Sequence, residues 1–208
     1  MAIDGHIELI TGTMFSGKST ELIRRLNRYE VLEVPLQVFK PIIDTRYSTD
    51  HVTSHDGLCR TVSRISSTVE LVSLLKPETK VVGIDEVQFL DDQILGWAHN
   101  YAQNGGVVVA SGLLKDFRDK YFPFKQVLGT LEQSPQKTMA DFLELADHIL
   151  QLKALCKQKE NGGVCGRDAT RVQRYINGQV APLHSDTVLV GGTESYLPVC
   201  RKHFHFYE

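Results

Sequence analysis

One eight-residue stretch constrains this chain more than any other feature: Gly12-Thr13-Met14-Phe15-Ser16-Gly17-Lys18-Ser19 fits the pattern G-x-x-x-x-G-K-[ST] without a mismatch. The short apolar run IELIT at 7–11 precedes it, and Ser19 to Glu30 then carry Leu22, Ile23 and Leu26 at helical spacing. The order strand, glycine loop, helix is the context in which such a loop holds a polyphosphate. Its backbone N–H groups point at phosphate oxygens, and the helix N-terminus adds positive potential. Lys18 is placed to neutralise β- and γ-phosphates and the Ser19 hydroxyl to bind Mg²⁺, so Gly12 through Ser19, with Thr20, form the expected nucleotide-binding set.

Three further runs read as strands: LQVFK at 36–40, KVVGID at 80–85 and GVVVASGL at 106–113. STVELVSLLK at 67–76 and DDQILGWAHNYAQN at 91–104 read as helices. Strands alternating with helices predict an α/β fold, a parallel sheet covered on both faces. From Cys156 onward, glycines multiply and periodic runs shorten, so a second small core in need of a staple is expected. The boundary falls near residue 150, giving a nucleotide-binding domain over 1–150 and a smaller domain over 151–208. A formal net charge of −2 argues against a nucleic-acid or membrane surface. With no basic leader and no spanning-length apolar run, a soluble, cytoplasmic protein is expected.

A glycine loop of this kind needs an acidic residue at the end of a neighbouring strand to reach the metal, and VVGIDEVQF supplies Asp85, which with Ser19 makes the expected Mg²⁺ pair. Glu86 beside it is a second carboxylate. Hydrolysis needs only a positioned water, whereas a base on the chain points to transfer to an alcohol. Of the four cysteines, Cys156, Cys165 and Cys200 cluster late, in CKQKENGGVC and CRKHFH, a pattern of metal binding more than of disulfides. Cys59 stands alone and reads as a small side chain without a chemical role.

TGTMFSGKSTELIRR, DTRYSTD…SHDG, GIDEVQFL, GLLKDFR and VGGTESYLPVCRKH together resemble the type II thymidine kinases, in order and from about residue 7 to 203. The resemblance implies a RecA-like phosphate-loop domain, a small zinc domain whose lasso loop closes over the nucleoside, and a homotetramer. It implies phosphorylation of thymidine, and of deoxyuridine, by ATP, with feedback inhibition by dTTP. Glu86 becomes the base for the 5′-hydroxyl, Lys18 a stabiliser of the transferring phosphoryl, and Arg46 a residue facing the phosphates, with Asp44 near the metal region. Met14, Phe89, Leu113, Phe117 and Tyr196 match the thymine pocket, with Phe122 preferred to Phe124 for one further position. Thr170, Gly191 and Gly192 match positions of the lasso that approach the base. Cys156, Cys165, Cys200 and His203 form a Cys₃His zinc set in which His203 is preferred to His205. The departure from the family is the spacing of Cys156 and Cys165, which enclose eight residues where a C-x-x-C is usual.

The alternative from another class is a phosphate-loop ATPase switch whose zinc ribbon docks a partner. A GTPase is disfavoured by the lack of an N-K-x-D sequence, and a nucleic-acid clamp by the charge balance.

Overall fold

The computed structural model describes residues 4–43, 51–53, 59–127, 135–160, 162–189 and 191–206. Asp44 and Arg46, and the side chain of Cys59, lie outside the described residues. In chain order the elements are β1 (His6–Gly12), α1 (Lys18–Val31), β2 (Leu36–Pro41), β3 (His51–Thr53), β4 (Cys59–Thr61), β5 (Ser63–Ile65), α2 (Thr68–Leu74), β6 (Val81–Ile84), α3 (Gln93–Gln103), β7 (Val107–Gly112), α4 (Met139–Leu145) and β8 (His148–Leu152). Six of the strands form one parallel sheet in the order β5-β2-β6-β7-β1-β8.

The sheet buries both faces, and its sequence shows why. Every residue of β6 and β7 is buried, as expected where helices cover a parallel sheet on both sides. Successive side chains alternate between two cores. Ile10, Val38, Val81, Val107 and Val109 pack beneath α1 with Leu22 and Leu26. Leu9, Phe39, Val82, Ile84, Val108 and Ala110 pack on the other face with Leu71 of α2, Ile94 and Ala98 of α3 and Phe142 of α4. The periodic helices and the long apolar strands therefore form where the sequence places them. Five of these elements were not anticipated: the short β3, β4 and β5, and α4 and β8. α4 starts at a capping box in which Thr138 and Asp141 satisfy each other's backbone N–H groups. β8 pairs with β1 across residue 150, so the sheet continues to Leu152. Its five residues are exposed or half-buried, which removes the apolar run that marks the interior strands.

The rest of the chain is built from short antiparallel pieces: β9 (Ala154–Leu155), β10 (Lys159–Glu160), β11 (Gly163–Val164), β12 (Asp168–Ala169), β13 (Arg171–Ile176), β14 (Gln179–Val180) and β15 (Tyr196–Val199). β9 pairs with β12, β10 with β11, and β13 with both β14 and β15. A small core of Ala154, Cys156, Ala169, Val199 and Cys200 holds them. This region meets the parallel sheet through Met14, Val172 and Tyr196, which bury one another beside the glycine loop. Among the described residues no helix is long and apolar enough to cross a membrane.

Candidate active site

Residues Gly12 to Gly17 turn from β1 into α1 through backbone conformations that fit glycine. Gly12 has φ 150° and Gly17 φ 85°, and a Cβ on Gly12 would lie 2.3 Å from the Leu152 carbonyl oxygen. Lys18, at the start of α1, folds back so that its ammonium donates to the Thr13 carbonyl at 2.9 Å, spanning the cradle. The Ser16 hydroxyl is buried in the loop and has no hydrogen-bond partner among the described residues. An inward-facing donor, an α1 N-terminus and a buried lysine fit a phosphate chain. Thr20 follows in the first turn of α1.

Beside the loop, β6 ends at Ile84 and delivers Asp85, 2 % exposed, beneath Ser19, whose hydroxyl donates to the two carboxylate oxygens at 3.1 and 3.3 Å. Ser111, from the end of β7, donates to Asp85 Oδ1 at 2.5 Å, and the buried Lys40 ammonium of β2 is 3.6 Å from Oδ2. Ser19 and Asp85 form the hydroxyl-plus-carboxylate pair that suits Mg²⁺. Neither Lys40 nor Ser111 was anticipated, because nothing local in FKP or ASG marks them; the parallel register brings these strand ends together.

Glu86 follows in a left-handed conformation, φ 54° and ψ 47°, and is buried. Its carboxylate accepts from Gln88 Nε2 at 2.7 Å, while Gln88 Oε1 accepts from the Leu113 N–H at 3.1 Å. Gln88 was also missed by sequence reading. It fastens the carboxylate turn to the end of β7.

A cavity opens next to these groups, and its walls include Met14, Phe89, Leu113, Phe117, Phe122 and Tyr196. Phe89 and Phe122 meet edge to face, with ring centroids 5.6 Å apart. Phe124 instead lies in the main core at 1 % exposure. Ile43, Lys115, Asp116, Val172 of β13, Thr187, Val188 and Leu189 complete the walls. Thr170, Gly191 and Gly192 do not line this cavity. Thr170 faces a more polar hollow beside Gly12 and Thr13, where its hydroxyl accepts from Arg171. Gly191 and Gly192 sit in a turn closed by Glu194, whose carboxylate accepts from the Gly192 N–H at 2.6 Å.

The Cys156, Cys165 and Cys200 sulfurs and one His203 nitrogen all lie within 4.8 Å of one another. Cys165 and Cys200 Sγ are 4.0 Å apart, and His203 Nδ1 is 3.4 Å from Cys156 Sγ and 3.6 Å from Cys200 Sγ. Metal–sulfur and metal–nitrogen bonds of about 2.3 and 2.0 Å at a tetrahedral ion require spacings of about 3.8 and 3.6 Å, so the set fits a structural zinc. The eight-residue spacer is absorbed by the β10–β11 hairpin. From it Glu160 faces His203 Nε2 at 3.3 Å, leaving Nδ1 toward the sulfurs. Burial pushes the Cys156 thiol up, whereas hydrogen bonds from the Arg167 backbone N–H and then its side chain pull Cys165 down, to about 6. His205 stands outside the cluster.

A family model described as thymidine kinase matches residues 5–204 of the 208. That span starts just before β1 and ends just after His203, so the glycine loop, the carboxylate turn, the cavity and the four candidate metal ligands all fall inside it. The chain therefore belongs to the thymidine kinase family of enzymes.

Proposed function

We propose that the protein transfers the γ-phosphoryl group of ATP to the 5′-hydroxyl of thymidine, giving dTMP and ADP for nucleoside salvage. The observation that carries this reading is the shared edge of three parts. Met14 belongs both to the glycine loop and to the cavity wall, and Phe89 of that wall stands three residues from Glu86. A flat base bound among Phe89, Phe117, Phe122 and Tyr196 gains contact area at low entropic cost, and its sugar then lies toward the carboxylate turn. Glu86 takes the 5′-hydroxyl proton as the oxygen attacks the γ-phosphorus and ADP leaves. Lys18 and the loop N–H groups hold the β- and γ-phosphates in line. Mg²⁺ held by Ser19 and Asp85 would supply charge neutralisation on the phosphates, and Arg46 is retained from the resemblance as a residue facing them. Zinc on Cys156, Cys165, Cys200 and His203 would have no open position for chemistry and would tie β9, β11 and the C-terminal turn together.

Deoxyuridine belongs to the same proposal. It lacks one methyl, and an apolar pocket discriminates such a group by about 1–3 kcal/mol. Deoxycytidine should be rejected more strongly, since its 4-amino group and unprotonated N3 reverse the hydrogen-bonding edge. Inhibition by dTTP, which spans the cavity and the glycine loop at once, is also proposed, as is a cytoplasmic homotetramer.

The test is transfer of labelled γ-phosphate from ATP-Mg²⁺ to thymidine, deoxyuridine, deoxycytidine and deoxyadenosine, with zinc content measured on the same preparation. Product with the first two and little with the others is expected. Phosphate release from ATP that is indifferent to every nucleoside would favour the ATPase switch instead.

A further inference from the structure

The cavity wall contributed by residues 187–189 belongs to a segment without regular secondary structure, from Ala181 to Leu189. No sheet ladder holds it, and ordering each residue costs about 1–2 kcal/mol. Val188 packs against the main core, and side-chain tethers hold the segment at three neighbouring points. Tyr196 donates its hydroxyl to the Leu189 carbonyl at 2.8 Å. Arg118 Nη2 donates to the Thr187 hydroxyl at 2.6 Å, and Arg174 Nη1 donates to the Asp186 carbonyl.

The two arginines come from different elements and converge on one ring. The Arg118 guanidinium lies 5.3 Å from the Phe117 ring centroid and that of Arg174 lies 4.9 Å from it. Arg118 is aimed by Asp116, which accepts from its Nε at 2.7 Å and from its backbone N–H at 2.8 Å. Arg174 is held by β13, opposite Tyr196 of β15, and is 3 % exposed. Phe117 and Thr187 both line the cavity. A guanidinium can stack on an aromatic face and still donate in plane, which an ammonium cannot do.

We propose that Arg118 and Arg174 are positioning residues that clamp the 186–189 segment to Phe117, and so set the affinity for the acceptor nucleoside. This rests on the reading that the cavity holds that nucleoside. With a tether removed, the binding-competent arrangement is a smaller fraction of the population, and apparent affinity falls by that fraction. The chemical groups are untouched, so the loss falls in KM for thymidine and not in turnover at saturation.

The test compares the wild type with Arg118→Met, Arg118→Lys, Thr187→Val and Phe89→Ala, the last altering a wall the tethers do not touch. Arg118→Met should raise KM for thymidine about tenfold, with kcat and KM for ATP within about twofold. Thr187→Val should raise it severalfold, and Arg118→Lys should fall between the wild type and Arg118→Met. In all three, zinc content should match the wild type while amide exchange across 183–189 accelerates; the unfolding midpoint should hold in Thr187→Val and fall in Arg118→Met, where the buried Asp116 carboxylate loses its charged partner. Arg174→Met should behave like Arg118→Met. Because Arg174 is buried and its variant can fail to fold, the Arg118 and Thr187 variants decide the outcome. If Phe89→Ala raises KM while Arg118→Met and Thr187→Val leave it within about twofold, the clamp is wrong and the cavity reading stands. If none of the variants moves KM, both fall.

Discussion

Glu86 holds a backbone conformation that costs a non-glycine residue about 1–2 kcal/mol, offset by its buried hydrogen bond to Gln88 and by the strand end that precedes it. Replacing its carboxylate by an amide of equal shape removes basicity without moving the turn. Glu86→Gln should therefore lower kcat for thymidine phosphorylation by about 10²- to 10⁴-fold, with ATP affinity preserved in a binding titration. Wild-type turnover in that variant would remove Glu86 from the mechanism. A second residue reports on stability. Glu21 is hydrogen-bonded by Arg24 and then Arg25, which hold its carboxyl down from the ordinary 4.5 to about 2. The group binds its proton less readily folded than unfolded, so its stabilisation is complete above pH 4.5 and is lost as pH falls toward 2. Between pH 5 and pH 3 the unfolding midpoint should drop less in Glu21→Gln than in the wild type. Because Arg24 is 58 % exposed, added salt should narrow that difference.

Among the elements, α1 couples the glycine loop to the sheet. Leu22 and Leu26 are fully buried against β1, β6 and β7, and Gly83 leaves room for Leu26, since a Cβ there would lie 2.6 Å from its Cδ1. Leu26→Ala should cost about 2–5 kcal/mol in urea unfolding, the range for a leucine truncated in a core that cannot close around the gap. Its helix was legible from the 3.6-residue period and β6 and β7 from their unbroken apolar runs. β8 was not legible, because an edge strand half open to solvent keeps neither a run nor a strict alternation. In α4 the Thr138–Asp141 capping box was present in the sequence and is the signal that could have found it.

At the scale of the whole molecule, the short strands after Leu152 have a small core; two of its members, Cys156 and Cys200, belong to the Cys₃His set, and the third cysteine, Cys165, packs against it. Removing zinc with a chelator should lower the unfolding midpoint and raise KM for thymidine more than KM for ATP, because β13 and β15 wall the cavity while the glycine loop rests on the sheet. Equal losses for both substrates would mean that the metal supports the whole fold and not the acceptor side. The sequence by itself determined whatever is encoded in contiguous residues. The glycine loop, the Asp85–Glu86 pair at a strand end, the helical and strand periods and the clustered cysteines each require a residue type at a fixed spacing along one backbone segment. Only the tertiary structure decided what depends on distant segments meeting. Lys40 and Ser111 reach Asp85 through sheet register, Val172 and residues 187–189 wall the cavity, and Arg118 and Arg174 converge on Phe117 from residues 56 apart in the chain. Such meetings follow from how the sheet and the short strands pack, and no local pattern of residues carries that information.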